Sequence, residues 1–384
     1  MKIRKCTAVA CVVLIFILLA GCAGLVPAAN QANDKGLGNG WQMDHSMELK
    51  YAKNFSVYYY KGGCKLISIS NGSRFLVVPE GQEAPAVTGK DIVVLKQPVN
   101  DIYLVATSAM CLFDALDSLG SIKMSGTNAD GWYIENARRA MENGDILYAG
   151  KYSKPDYEMI LANGCKLAIE STMINHSPEV KEKLEELGIP VLTEQSSYEK
   201  HPLARTEWIK LYAALLNKED EAARIMGEQT DYMDQVASLG DTGKTVAFFY
   251  ISSSGSAITR KSGDYVTKMI ELAGGKYIFD NLGDPDVATS TVTLEMEEFY
   301  AKAKDADFII YNSTIDGGVR TLRELIGKNK LLADFKAVKN GNVWCTEKNL
   351  YQETTQLGLM IWDMHQMLTG GNDLEKLNFM YRLQ

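Results

Sequence analysis

Residues 202–240 read PLARTEWIKLYAALLNKEDEAARIMGEQTDYMDQVASLG. Leu211, Leu215, Ile225 and Met226 fall at helical spacing, and the only soft spot is near Asn217. One long helix, or two collinear ones, is predicted. What makes this stretch decisive is its surroundings, because short strand-like and helix-like runs alternate on both sides of it.

Upstream, IYLVA, IKMSG and GDILYAG read as strands, with SAMCLFDALDSLG and GWYIENARRAMENG as helices between them. PDYEMILANGCKLAIE (155–170) and PEVKEKLEELGIPVLT each read as helix, turn and buried strand. Downstream, TVAFFYIS is a strand and GDYVTKMIELAGG a helix ended by Gly274 and Gly275. EMEEFYAKAKDADFIIYN and LLADFKAVKNGNVWCT repeat helix then strand, and QLGLMIWDMHQML is a last amphipathic helix. Such alternation predicts an α/β fold with two Rossmann-like lobes, joined here by a long rigid helix. Residues 48–78 have a different character. Lys61-Gly62-Gly63 and Asn71-Gly72 divide β-rich runs, which predicts an antiparallel hairpin or meander added at the N-terminus.

The ends set the compartment. Lys2, Arg4 and Lys5 precede an uncharged apolar run that closes on Leu19-Ala20-Gly21-Cys22. Charge, length and small residues at the end mark a secretory signal. The closing tetrad resembles the bacterial lipobox, which implies cleavage before Cys22 and lipid on its thiol. An uncleaved membrane helix is the alternative, and both place the body outside the cytoplasmic membrane. The expected boundaries are a signal at 1–21, a flexible tether at 22–47, a first lobe at 48–198, an interlobe helix at 199–238 and a second lobe at 239–384.

The chain carries 40 basic and 48 acidic side chains, a formal charge of −8, and no Lys/Arg cluster that would track a phosphate backbone. A nucleic-acid partner is not expected. Cys64, Cys111, Cys165 and Cys345 are widely spaced and form no CxxC pair, so neither zinc nor a redox motif is supported. Their disulfide state stays open. His45, His176, His201 and His365 show no HxxxH or HExxH spacing, and no metal site is expected. His176 and His201 follow predicted strands and are minor cleft candidates. There is no GxSxG elbow and no phosphate-binding loop, so the chain offers no catalytic residues and no enzyme signature.

In α/β sheets, ligands bind beyond the carboxyl ends of strands. The loops expected there carry Met110, Trp132, Tyr152, Met173, Tyr198, Arg205, Ser253, Arg260, Asn312 and Tyr351. Aromatic rings with arginines suit a bulky, partly anionic ligand through stacking and bidentate contacts. The alternatives are ordinary packing for each aromatic, a surface ion pair for Arg205 and a solvated loop charge for Arg260.

With MIELAGGKYIF (269–279), ADFIIY (306–311), VKNGNVW (338–344), the Cys22 tetrad and the interlobe helix, the chain resembles the substrate-binding lipoproteins of ABC importers for iron chelates and cobalamin. The resemblance covers the chain from about residue 102 onward. It implies a monomeric extracytoplasmic receptor, lipid-anchored to the cell membrane, with no cofactor of its own. Such a receptor captures a metal chelate between its lobes and passes it to a permease driven by a cytoplasmic ATPase. A ferric siderophore is the leading expectation, cobalamin or haem the alternative, and an extracellular enzyme or adhesion lipoprotein the reading from another class. The resemblance also implies a surface Glu on each lobe that docks on the permease. Glu158, before Ile160 and Leu161, matches that layout, and Glu297, before Phe299 and Tyr300, matches it more loosely.

Overall fold

The computed structural model describes residues 37, 40–84, 89–285, 287, 290–371 and 374–384. The expected signal at 1–21 and the expected lipid site Cys22 lie outside the described residues. The chain falls into two units: residues 1–41 with 86–90, most of them outside the described residues, and residues 42–85 with 91–384. The second unit holds all the sheets and helices that follow.

Five strands form the first sheet: β1 (Met43–Ser46), β2 (Phe55–Tyr60), β3 (Lys65–Ile69), β4 (Arg74–Val78) and β5 (Ile92–Lys96). They lie in that order; the first four are antiparallel and β5 runs parallel to β4. The meander expected at 48–78 is therefore the centre of a larger sheet, and the segment expected as tether contributes its edge strand. Val57, Ile67, Ile69, Phe75 and Val77 are buried against the first lobe, which is why one face of each strand is apolar.

The first lobe is a parallel sheet of β6 (Ile102–Leu104), β7 (Ile122–Ser125), β8 (Leu147–Tyr148), β11 (Leu167–Ser171) and β12 (Val191–Glu194), in the order β12-β11-β6-β7-β8. A small hairpin of β9 (Gly150–Lys151) and β10 (Lys154–Pro155) follows β8. The helices are α1 (Thr107–Ala115), α2 (Glu135–Glu142), α3 (Tyr157–Ala162) and α4 (Pro178–Glu186). Leu167 and Ile169 enter the main core while Ala168 packs on the opposite face, the two-residue period of a sheet covered on both sides.

The connector departs from a single helix. It is α5 (Pro202–Glu207), α6 (Ile209–Leu216) and α7 (Glu219–Leu239). Asn217 takes the left-handed conformation at φ 56°, which ends α6, and Asn adopts that conformation more readily than most side chains. The N-terminal sheet fixes the break: Lys65 Nζ donates to Asn217 Oδ1 at 2.7 Å and Gln97 Nε2 donates to it at 2.9 Å. Beyond the break, α7 spans both lobes. Ala222, Ile225 and Met226 belong to the first core, Val236 to the second.

The second lobe contains β13 (Lys244–Ile251), β14 (Ala257–Arg260), β15 (Gly275–Tyr277), β16 (Thr291–Leu294), β17 (Phe308–Tyr311), β18 (Val343–Thr346) and β19 (Met380–Arg382). The order is β16-β14-β13-β17-β18-β19, with β15 also paired to β13. β15, β17 and β18 are parallel neighbours, whereas β14 turns back antiparallel on β13. Residues 257–260, read from sequence as loop, are thus a strand. Its helices are α8 (Tyr265–Leu272), α9 (Met296–Ala303), α10 (Leu322–Lys328), α11 (Lys336–Lys339) and α12 (Leu357–Thr369). α12 packs closely on α7 because position 358 is glycine: a Cβ there would lie 2.2 Å from the Gln229 carbonyl oxygen. Cys64, Cys111, Cys165 and Cys345 are free thiols. Among the described residues no helix is long and apolar enough to cross a membrane.

Candidate functional site

Two buried carboxylates fasten the N-terminal sheet to the connector. Glu207 accepts the backbone N–H groups of Lys50, Tyr51 and Ala52 at 2.7–2.9 Å, and Glu199 accepts those of Lys53 and Asn54. His201 stacks on Tyr51 with ring centres 4.6 Å apart, and its Nδ1 accepts the Leu203 N–H to cap α5. These bonds hold the start of α5, and α5 carries Arg205 into the space between the lobes.

A cavity of about 630 Å³ opens there. Thr172 follows β11, while Ser197, Tyr198 and Arg205 follow β12. From the second lobe come Arg260, Lys261, Gly263, Asp264 and Tyr265, at the end of β14 and the start of α8, with Ser290, Ile315 and Tyr351. Gly263 is required for close packing, since a Cβ would sit 2.0 Å from the Val287 carbonyl oxygen.

The charges are unequal in number and in availability. Among the described residues that line it, three cations face one acid, Asp264. Arg260 is engaged internally: it pairs with Asp264 at 3.3 Å and donates to the Tyr351 hydroxyl. Burial works against its charge, but the adjacent Tyr351 oxygen and Asp264 carboxylate hold its value above the ordinary range. Asp264 also caps α8 by accepting the Val266 N–H at 2.8 Å. Arg205 is less committed. Its guanidinium lies 3.8 Å from the Tyr265 ring centre and donates to the Ser197 carbonyl, while its buried Nε has no partner among the described residues. Lys261 makes no ion pair among the described residues.

Tyr351 is a neutral phenol, its value pushed by burial up to about 12. Its oxygen accepts from Arg260 and, at 3.1 Å, from Asn312 Nδ2. Both acceptor sites are filled, so the phenolic proton is left to offer to a ligand.

Of the residues predicted from sequence, Tyr198, Arg205, Arg260 and Tyr351 line this cavity. Asn312 is buried behind it and holds Tyr351. Met173 is exposed, next to the lining residue Thr172. The others lie elsewhere. Met110 is wholly buried on α1 and Trp132 is buried in the same first core. Tyr152 packs, partly buried, against the core cluster that holds Ile160 and Ala168, and Ser253 is exposed in the turn between β13 and β14. His176 is exposed and His201 serves the α5 cap, so neither lines the cavity. Sequence reasoning missed Lys261, Asp264 and Tyr265, although all three sit in the loop that supplied Arg260. An Asp one residue before a helical run was the available signal.

The sequence profile described as periplasmic binding protein matches residues 125–350. This chain belongs to that family. An uncharacterized lipoprotein of Methanocaldococcus jannaschii is 27% identical over 341 residues, covering 82% of this chain and 79% of its own. The periplasmic heme binding protein HutB of Vibrio cholerae matches with a TM-score of 0.55 at 16% identity, over 68% of this chain and 96% of that one. A protein of an ABC-type Fe3+-hydroxamate transport system from Saccharomonospora viridis matches with a TM-score of 0.53 at 18% identity, over 70% and 92%. The likeness to these two solved structures is one of fold.

Proposed function

We propose that this chain is the lipid-anchored receptor of an ABC importer and that it captures an anionic metal chelate, a ferric siderophore first of all. The observation that carries the reading is the cavity's charge balance: Arg205, Arg260 and Lys261 against Asp264, between the rings of Tyr198, Tyr265 and Tyr351. Arg205 and Lys261 supply the free positive charge, and the tyrosines supply flat faces and a phenolic donor. Haem is the second reading, favoured by Tyr198 and Ile315, which stand half exposed or more on opposite lobes and suit the apolar rim of a macrocycle. Membership of the periplasmic binding protein family supports delivery to a permease, driven in this reading by a cytoplasmic ATPase.

Calorimetric titration with ferric catecholates, ferric hydroxamates, haem and cobalamin tests the reading. Saturable binding of a ferric chelate is expected. Arg205→Ala and Lys261→Ala should each weaken it about 10- to 100-fold, the weight of one charge-assisted hydrogen bond. Failure of the wild-type protein to bind any member of the panel removes the chelate reading, and exclusive binding of cobalamin removes its electrostatic part.

A further inference from the structure

The segment between β18 and α12 runs along the seam of the two lobes, and two adjacent side chains in it go to opposite partners. Tyr351 is tied into the second lobe by Arg260 and Asn312. Gln352 reaches across to the first. Its Oε1 accepts the Tyr133 N–H at 2.8 Å and its Nε2 donates to the Gly131 carbonyl at 2.8 Å. One amide thus closes two bonds on the backbone between β7 and α2.

The backbone it grips is itself held. The Trp132 side chain, between the two gripped residues, is buried in the first core. A Cβ on Gly131 would come 2.7 Å from Thr127 Cγ2. Two contacts follow the same seam: Thr206 Oγ1 donates to the Thr354 carbonyl at 2.7 Å, and Arg205 stacks on Tyr265.

We propose that Gln352 is a positioning residue for ligand recognition, whose grip on Gly131 and Tyr133 sets the separation of the lobes and, through one peptide unit, the place of Tyr351 in the cavity wall. The proposal rests on the cavity being the ligand site. Neighbouring Cα atoms are about 3.8 Å apart, so a displacement of Gln352 with the first lobe is transmitted to Tyr351 and strains its bond to Arg260. The requirement for an amide is chemical, since one partner needs an acceptor and the other a donor. A carboxylate would repel the Gly131 carbonyl, and a thioether would bond neither. Gln352 is only partly buried, so water can replace both bonds when the lobes part.

Gln352→Met keeps the length and removes both bonds. In the full chain without ligand, hydrogen exchange should quicken at the Tyr133 amide and also at residues 260–265 across the cavity. Affinity for whichever chelate the wild type binds should fall about 5- to 10-fold, the loss of two partly exposed hydrogen bonds. Gln352→Glu can form both bonds only when protonated, so its affinity relative to wild type should recover as pH falls from about 6 to about 4. A flat pH profile, an unchanged affinity or faster exchange confined to Tyr133 would overturn the proposal. If the wild type binds nothing in the panel, the chelate reading fails separately, and exchange at residues 260–265 decides the role of Gln352.

Discussion

Glu170, near the end of β11, is a fully buried acid without a hydrogen-bond partner at either carboxylate oxygen among the described residues. Burial raises its value from the ordinary 4.5 to about 8. The folded protein therefore keeps a proton that the unfolded chain releases, and stability is lost as pH rises through that window. Glu353, pushed by burial up to about 7 with Asp114 adding to the rise, acts in the same direction. Glu170→Gln should melt close to wild type near pH 4.5 and clearly above it at pH 8.5; parallel melting curves across that range would reject the assignment. None of this was legible in the sequence, where Glu170 simply closes CKLAIE. The same limit separates the two arginines. Both were readable as loop cations near strand ends, but only the folded contacts show that Arg260 is taken up by Asp264 and Tyr351 while Arg205 keeps a free Nε. Met110 and Trp132 read as cleft residues because they stand near strand ends. They are core residues because their local helix and turn face inward.

Among the elements, the connector shows how tertiary bonds override a local pattern. Its helical pattern has a soft spot near residue 217, but the break there is fixed by bonds from outside the connector. The partners of Asn217 are Lys65 and Gln97, more than a hundred residues upstream, and no periodicity reports them. Asn217→Ala loses its three side-chain bonds, one to Lys65 and two to Gln97, and the Asn tolerance of a left-handed φ, and should cost about 2–3 kcal/mol in a denaturant titration. Asn217→Gly keeps the conformation and should cost about half as much. Equal losses in the two variants would show that the bonds, not the backbone, fix the break. β14 was missed for a related reason. Its four residues sit among Ser and Gly turn formers, and only pairing with β13 and β16 makes them a strand. Likewise Asn71-Gly72 announced the β3–β4 hairpin, but the parallel pairing of β5 with β4 is non-local and carries no turn signal.

At the scale of the whole molecule, the alternation of strands and helices on both sides of residues 202–240 was enough to foresee two α/β lobes, because each α/β unit covers its own sheet and leaves a local periodic record. How the proposed receptor would meet a permease leaves less trace. Glu158 lies in the first turn of α3 in the first lobe, and Glu297 in the first turn of α9 in the second. Both are exposed, and neither makes an ion pair among the described residues, whereas neighbouring Glu298 pairs with Lys302 at 3.0 Å. Each carboxylate gains a few tenths of a kcal/mol to about 1 kcal/mol from its helix dipole, and neither has another visible employment in the fold. With the permease reconstituted in vesicles, Glu158→Ala and Glu297→Ala should each reduce chelate uptake and together abolish it. Chelate affinity should stay unchanged and melting should shift little. Glu298→Ala, alike in position but already paired, should transport as wild type does. Full uptake by the double variant would confine both residues to the helix dipole, and a loss of affinity alongside uptake would place their effect in the receptor rather than at the membrane.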